Sequence, residues 1–154
     1  MYSHSKCCVK DNYKRSEFFN YDKAVRQGCI LSPLLFNLYL NELPYILNNN
    51  AKDPILLPDC SHLSCLLYAD DLLLMAHSAE GFQQSLDRLS KYCQDWLLKI
   101  NPTRTKVIVF QKKSRKSTTD KYDFTVSNEH IEIVNSYTYL GVNFSANRNF
   151  TNHN

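Results

Sequence analysis

CLLYADDLLLMA, residues 65–76, sets two adjacent carboxylates, Asp70 and Asp71, between two apolar runs. Apolar residues are continuous on both sides of the acids, so the stretch does not read as an amphipathic helix. It fits two short buried strands that turn at or beside the acidic pair. Leu66, Leu67 and Leu72 to Met75 are expected to bury both strands, although the turn lacks the Asn-Gly or Asp-Gly of a common tight hairpin. Neighbouring carboxylates repel each other and call for a counter-charge. A hard divalent cation supplies one, because magnesium takes a few carboxylates and completes its octahedron with water and phosphate oxygens. An acidic turn facing solvent is the plainer alternative, and the pair alone does not choose between them.

Working outward, Phe82, Leu86, Leu89, Cys93, Trp96, Leu97 and Ile100 recur at spacings of three and four, which predicts the strongest helix of the chain. Ser78 is placed to cap it and Asn101-Pro102 to stop it. KVIVF (106–110), YDFTVS (122–127) and YTYLGVNFS (137–145) read as strands. Upstream, Ser32-Pro33 opens a second helix, with the serine hydroxyl as its cap. Leu31, Leu34, Leu35 and Leu38 form its apolar face, and Pro44 ends or kinks it. Residues 48–62, broken by Pro54 and Pro58, read as a loop. Residues 2–26 read as two strands, YSHSKCCV and SEFFNYDKAV, around the polar turn KDNYKR. The order ββ-α-ββ-α-βββ predicts an α+β fold, an antiparallel sheet with helices packed on one face.

The net charge of +3 over 154 residues conceals a strong asymmetry. Gln27 to Asp87 holds seven acids and one basic residue, whereas Lys99 to Lys121 holds eight basic residues and one acid. An acidic middle before a basic stretch suits a site for cations beside a surface for polyanions. Taken alone, the run KKSRK (112–116) reads equally well as a solvated loop. Six cysteines, no signal-like N-terminus and no apolar run of about 20 residues predict reduced thiols in an intracellular chain. Cytoplasm or nucleus is expected, not secretion, and no membrane partner. Cys60, His62 and Cys65 follow a C-x-H-x2-C spacing without the second half of a zinc finger. Three glycines leave no Gly-rich phosphate loop.

Tyr68-Ala69-Asp70-Asp71 resembles the YxDD box of reverse transcriptases, and its company keeps that family's order. VRQGCILSPLLFNLYLNELP (25–44) resembles the segment before the box. The stretch from Leu72 to Phe110 resembles the helix and strand after it, and YTYLGVNFS the primer-grip hairpin. The flavour is that of non-LTR, LINE-type retrotransposons. The resemblance implies a partial polymerase palm over residues 1–154, running from the RQG segment through the YADD box to the primer grip, with fingers, first catalytic strand and thumb missing. It implies RNA-directed DNA polymerase activity by two-metal nucleotidyl transfer, with Mg2+ as cofactor and RNA template, DNA primer and dNTP as partners. Asp70 and Asp71 would be the catalytic metal ligands. Arg26, Gln27, Gly28, Tyr68 and Ala69 would shape the nucleotide and template pocket. Tyr139, Leu140 and Gly141 would form the primer grip, and Lys99, Arg104 and Lys106, with the 112–116 run, would meet phosphates.

Three departures from that pattern stand out. The family's further metal-binding aspartate, upstream of RQG, has no counterpart among Asp11, Glu17 and Asp22. Arg104 stands where the family has lysine, and Ala24 where it has glycine. Arginine stays charged at any working pH and is a poor proton donor. The chain is therefore expected to be incomplete and inactive alone, with an upstream polypeptide segment supplying the missing aspartate. The alternative is a non-catalytic remnant that binds nucleic acid or a partner.

Overall fold

In the computed structural model, which describes residues 6–20, 28–59, 61–110 and 122–146, the N-terminal strands form a hairpin within a hairpin. β1 (Lys6–Cys7) pairs antiparallel with β4 (Phe19–Asn20), and between them β2 (Lys10–Asp11) pairs with β3 (Lys14–Arg15). The turn KDNYKR thus supplies the inner pair, and reciprocal bonds between Val9 and Ser16 join the two ladders. The chain divides into two units, Met1–Glu42 and Leu43–Asn154.

α1 (Ser32–Tyr39) forms at the Ser-Pro signal, but Ser32 lies inside its first turn and is buried. Leu31 occupies the cap position and offers no capping oxygen, so the expected serine cap is absent. Leu34 and Leu38 were expected to pack and are instead 57% and 63% exposed. Apolar residues lie on all sides of this short helix, so burying some exposes others. Pro44 neither ends nor kinks α1. It stands in the first turn of α2 (Glu42–Asn49), where its missing N–H has no intrahelical partner to lose.

The predicted loop 48–62 contains a small hairpin, β5 (Ile55–Leu56) with β6 (His62–Leu63). β7 (Cys65–Tyr68) and β8 (Asp71–Leu74) follow, then α3 (Ala79–Asp95). Six strands complete the described chain: β9 (Lys106–Val107), β10 (Thr125–Val126), β11 (Glu129–His130), β12 (Glu132–Ile133), β13 (Ser136–Tyr139) and β14 (Val142–Ser145). The α+β class holds, but the expected single antiparallel sheet does not form among the described residues. Their strands make seven two-stranded ladders, and β12 runs parallel to β9. Most of these strands are two residues long, too short to offer a long edge to a third partner.

The core of the second unit lies under α3. Leu86 meets Val107, Phe124, Val126 and Ile131, with Leu74, Phe82 and Ile100 packed around them. Fully burying each such side chain stabilises by roughly 1.5–3 kcal/mol. Phe82 and Phe124 meet edge to face at 5.1 Å. The Gln83 amide donates to the Thr125 carbonyl at 2.9 Å and accepts from the Thr125 N–H at 3.1 Å, closing that open strand edge.

Ser78 caps α3 as expected, accepting from the Gly81 N–H at 3.0 Å, and its hydroxyl donates to Asp53. The helix stops before the expected Asn101-Pro102. Leu97 turns left-handed at φ 55°, and the Leu98 and Leu97 N–H groups close back on Cys93 and Gln94 at 2.8 and 3.3 Å. This is a Schellman ending with leucine where glycine is usual.

Candidate functional site

The acidic hairpin is fixed at its base and open at its tip. The Asn48 side chain accepts from the Ser64 N–H at 2.8 Å and the Cys65 N–H at 3.3 Å, tying α2 to the start of β7. The Met75 N–H donates to the Ser64 carbonyl at 2.7 Å, and Leu74 at the end of β8 joins the core. Burial pushes the Cys65 thiol above its ordinary value, although the Asn48 side chain pulls the other way.

Cys65 pairs with Leu74, Leu66 with Leu73, Leu67 with Leu72 and Tyr68 with Asp71. The turn is therefore Ala69-Asp70, within the expected stretch. Side chains alternate between the two faces. Leu66, Leu73, Tyr68 and Asp71 share one face, and Leu66 on it is 46% exposed rather than buried as expected. A two-stranded hairpin with one face on the core leaves the other to solvent. Ala69 stands at φ 50°, a left-handed conformation that costs a non-glycine residue roughly 1–2 kcal/mol. Asp70 and Asp71 are both exposed, as are Tyr68 and Ala69.

β13 and β14 form the second hairpin, with Tyr139 opposite Val142 and the turn at Leu140-Gly141. Both turn residues are left-handed, at φ 49° and 81°, the signature of a type I′ turn. The Tyr139 hydroxyl donates to the Asp71 carbonyl at 3.2 Å, which brings the predicted primer grip to the acidic turn. Burial, and after it the Asp71 charge, hold the Tyr139 phenol above its ordinary value. Tyr137, two residues back on the same face, donates to the Arg104 carbonyl at 3.2 Å.

The remaining expected residues are placed unevenly. Arg104 follows a turn built by Asn101, whose carbonyl accepts from the Arg104 and Thr105 N–H groups at 3.2 and 3.1 Å. Lys99 and Arg104 are exposed. Lys106 instead pairs with Glu132 at 2.6 Å, so a phosphate would have to compete for it. Gly28 lies in the first unit at φ +80°. Arg26, Gln27 and residues 112–116 lie outside the described residues. Sequence reasoning missed Asn48 and Asp53, polar residues of a presumed loop region with no periodic signal. It also missed Tyr137, which the alternation in Tyr137-Thr138-Tyr139 could have placed beside Tyr139.

Among the described residues no group of three or more His, Cys, Asp and Glu is placed to hold a metal ion. The acidic turn nonetheless fits part of a magnesium shell, since that ion keeps several waters and takes one or two protein carboxylates with substrate phosphates. No helix among the described residues is long and apolar enough to cross a membrane.

The family described as reverse transcriptase (RNA-dependent DNA polymerase) matches residues 2–144. A retrovirus-related Pol polyprotein from the type-1 retrotransposable element R2 of Nasonia vitripennis is 30% identical over 152 residues, 95% of this chain and 14% of the relative. Its counterpart from Popillia japonica is 32% identical over 80% of this chain and 21% of the relative. The RNA-directed DNA polymerase from the mobile element jockey of Drosophila melanogaster is 22% identical over 93% of this chain and 15% of its own length. The chain thus spans about a fifth or less of these relatives. With a match across nearly its whole length, the chain belongs to the reverse transcriptase family, among those of non-LTR retrotransposons.

Proposed function

We propose that this chain is the palm segment of an RNA-directed DNA polymerase and that Asp70 and Asp71 are its metal-binding carboxylates. The observation that carries the reading is the hairpin tip: two exposed carboxylates on a strained turn whose base is locked to α2 and the core. When bound, a pair of divalent ions would stabilise the attacking and leaving oxygens of an in-line phosphoryl transfer. The chain's own residues hold and orient. Tyr68, opposite Asp71, offers an exposed aromatic face for the incoming nucleotide or primer end. Arg26, Gln27 and Gly28 would shape the pocket for template base and nucleotide. The Tyr139-Leu140-Gly141 turn would hold the primer, and Lys99, Arg104 and Lys106 would meet backbone phosphates without reading sequence. The localisation that goes with this reading is the cytoplasm or nucleus.

Two carboxylates give only part of a two-metal site, and a further acidic ligand from an upstream segment would complete it. Residues 1–154 alone are therefore expected to bind divalent cations weakly and not to extend a primer. The test is primer extension on an RNA template with Mg2+, beside calorimetric Mg2+ titration, for the wild type and for Asp70→Asn with Asp71→Asn. Cation binding that the double variant loses, without extension, is the expected result. Extension that the double variant abolishes overturns the incompleteness. Cation binding indifferent to both substitutions overturns the metal assignment.

A further inference from the structure

We infer that Tyr139 is a positioning residue for the acidic turn: its hydroxyl, through the Asp71 carbonyl, sets the orientation in which Asp71 presents its carboxylate. The inference rests on the metal-binding reading of that pair and adds a role that primer contact alone does not require.

The acidic turn has little of its own to define it. Its two central residues are exposed, its first is a strained alanine, and the face it shares with Leu66 and Tyr68 is open. The anchors at Asn48, Ser64 and Leu74 lie at the other end of the hairpin, three strand residues from Asp71, or about 10 Å. Among the described residues the two hairpins share no ladder. The Tyr139 bond therefore acts at the tip, on the backbone of a residue that carries one of the carboxylates. A carbonyl has two lone pairs, so accepting the phenol costs no ladder bond.

The donor is itself well held. Tyr139 closes a four-pair ladder on a type I′ turn, and Tyr137 two residues away is fixed to the Arg104 carbonyl. Along β13 the backbones of these two tyrosines stand about 6.6 Å apart, and their hydroxyls tie the Asp71 and Arg104 carbonyls to that one strand. A phenol has few rotatable bonds, so little conformational entropy opposes the arrangement.

The test uses purified 1–154 as wild type, Tyr139→Phe, Tyr137→Phe, and Asp70→Asn with Asp71→Asn. Two readouts are taken: amide hydrogen exchange of peptides covering residues 66–75, and Mn2+ affinity by electron paramagnetic resonance with the metal alone. Removing one neutral hydrogen bond corresponds to roughly a three- to tenfold effect. Tyr139→Phe is expected to speed exchange at the turn and weaken Mn2+ binding by about that factor, while Tyr137→Phe, which reaches Asp71 only through Tyr139, has a smaller effect on both. Unchanged exchange in Tyr139→Phe overturns the tether, and faster exchange with unaltered Mn2+ affinity overturns the positioning role. An equal effect of Tyr137→Phe overturns it too, because the loss would then belong to the hairpin as a whole. If Mn2+ binding is indifferent to the double Asn variant, the metal reading fails, and the positioning role of Tyr139 falls with it even where exchange rises.

Discussion

The Tyr139 hydroxyl and the Asp71 carbonyl, 68 residues apart in sequence, meet at 3.2 Å. The contact joins the tips of two hairpins that are built alike, each with two turn residues and four paired positions per strand. One tip carries the expected metal-binding carboxylates and the other the expected primer grip at Tyr139-Leu140-Gly141, and this one bond connects them.

This contact has a pH signature. Burial and the Asp71 charge raise the Tyr139 phenol above its ordinary value of 10.0. A raised value in the folded state means the stabilisation is fully present below the unfolded value and is lost as pH rises through the folded one. The stability difference between wild type and Tyr139→Phe should be on the order of 0.5–1 kcal/mol and flat from pH 7 to about 9. It should shrink above pH 10, where ionisation removes the donor and sets a phenolate near a carboxylate. Urea unfolding at a series of pH values measures it, and a difference that grows at alkaline pH contradicts the assignment.

The start of α3 makes a second prediction, because its cap and its glycine depend on one another. A Cβ on Gly81 would stand 2.8 Å from the Asp53 carboxylate and 3.1 Å from the Ser78 hydroxyl oxygen. Helix propensity alone favours alanine by about 1 kcal/mol. Overpacking against the cap costs about 1–3 kcal/mol, so Gly81→Ala should be net destabilising. Asp53→Ala should also destabilise, by about 1 kcal/mol through the lost bond to Ser78. Combined, the two should cost less than their sum, since removing the Asp53 side chain makes room for the methyl. Additivity within about 0.5 kcal/mol in thermal unfolding rules this coupling out.

These residues also show how far the sequence could be read. The acidic hairpin, the long helix and the Tyr139 hairpin were legible because each is declared by local periodicity or by a turn that its own residues build. What escaped was long-range and polar. Asn48 and Asp53 sit in a stretch whose local signals are only breakers, and their partners lie 16 to 28 residues away. The end of α3 was misplaced because Asn101-Pro102 is a stronger local stop than Leu97. Tertiary packing nevertheless carried leucine into a left-handed cap. In α1 the apolar count was right, but a count cannot say which leucines face inward on so short a helix.

Cys93 and Cys65 are buried, and burial raises both thiols above the ordinary value of 9.0. The thiolate is the nucleophile, so both should resist alkylation at pH 8 while the chain is folded. Cys7, Cys8 and Cys29, all half-buried, should label before them. By the same sign argument, the stability these thiols contribute is complete below pH 9.0 and falls as the pH rises through their raised values. Peptide mass mapping after timed iodoacetamide treatment gives the order of labelling. Cys93 reacting as fast as Cys7 in the folded chain contradicts the packing of α3.

Ala69 opens the acidic turn at φ 50°, a conformation that glycine adopts freely. Ala69→Gly removes a strain of roughly 1–2 kcal/mol and adds backbone freedom to the unfolded chain. The net expectation is a stabilisation of no more than about 1 kcal/mol, read as a small rise in the unfolding midpoint. The methyl group also restricts the turn, and with glycine the tip can sample further orientations of Asp70 and Asp71. Mn2+ affinity should therefore fall while stability rises. Opposite signs in the two measurements are what a strained, pre-shaped site requires. If stability and Mn2+ affinity rise together, the strain at Ala69 is a defect of the turn and serves nothing at the carboxylates.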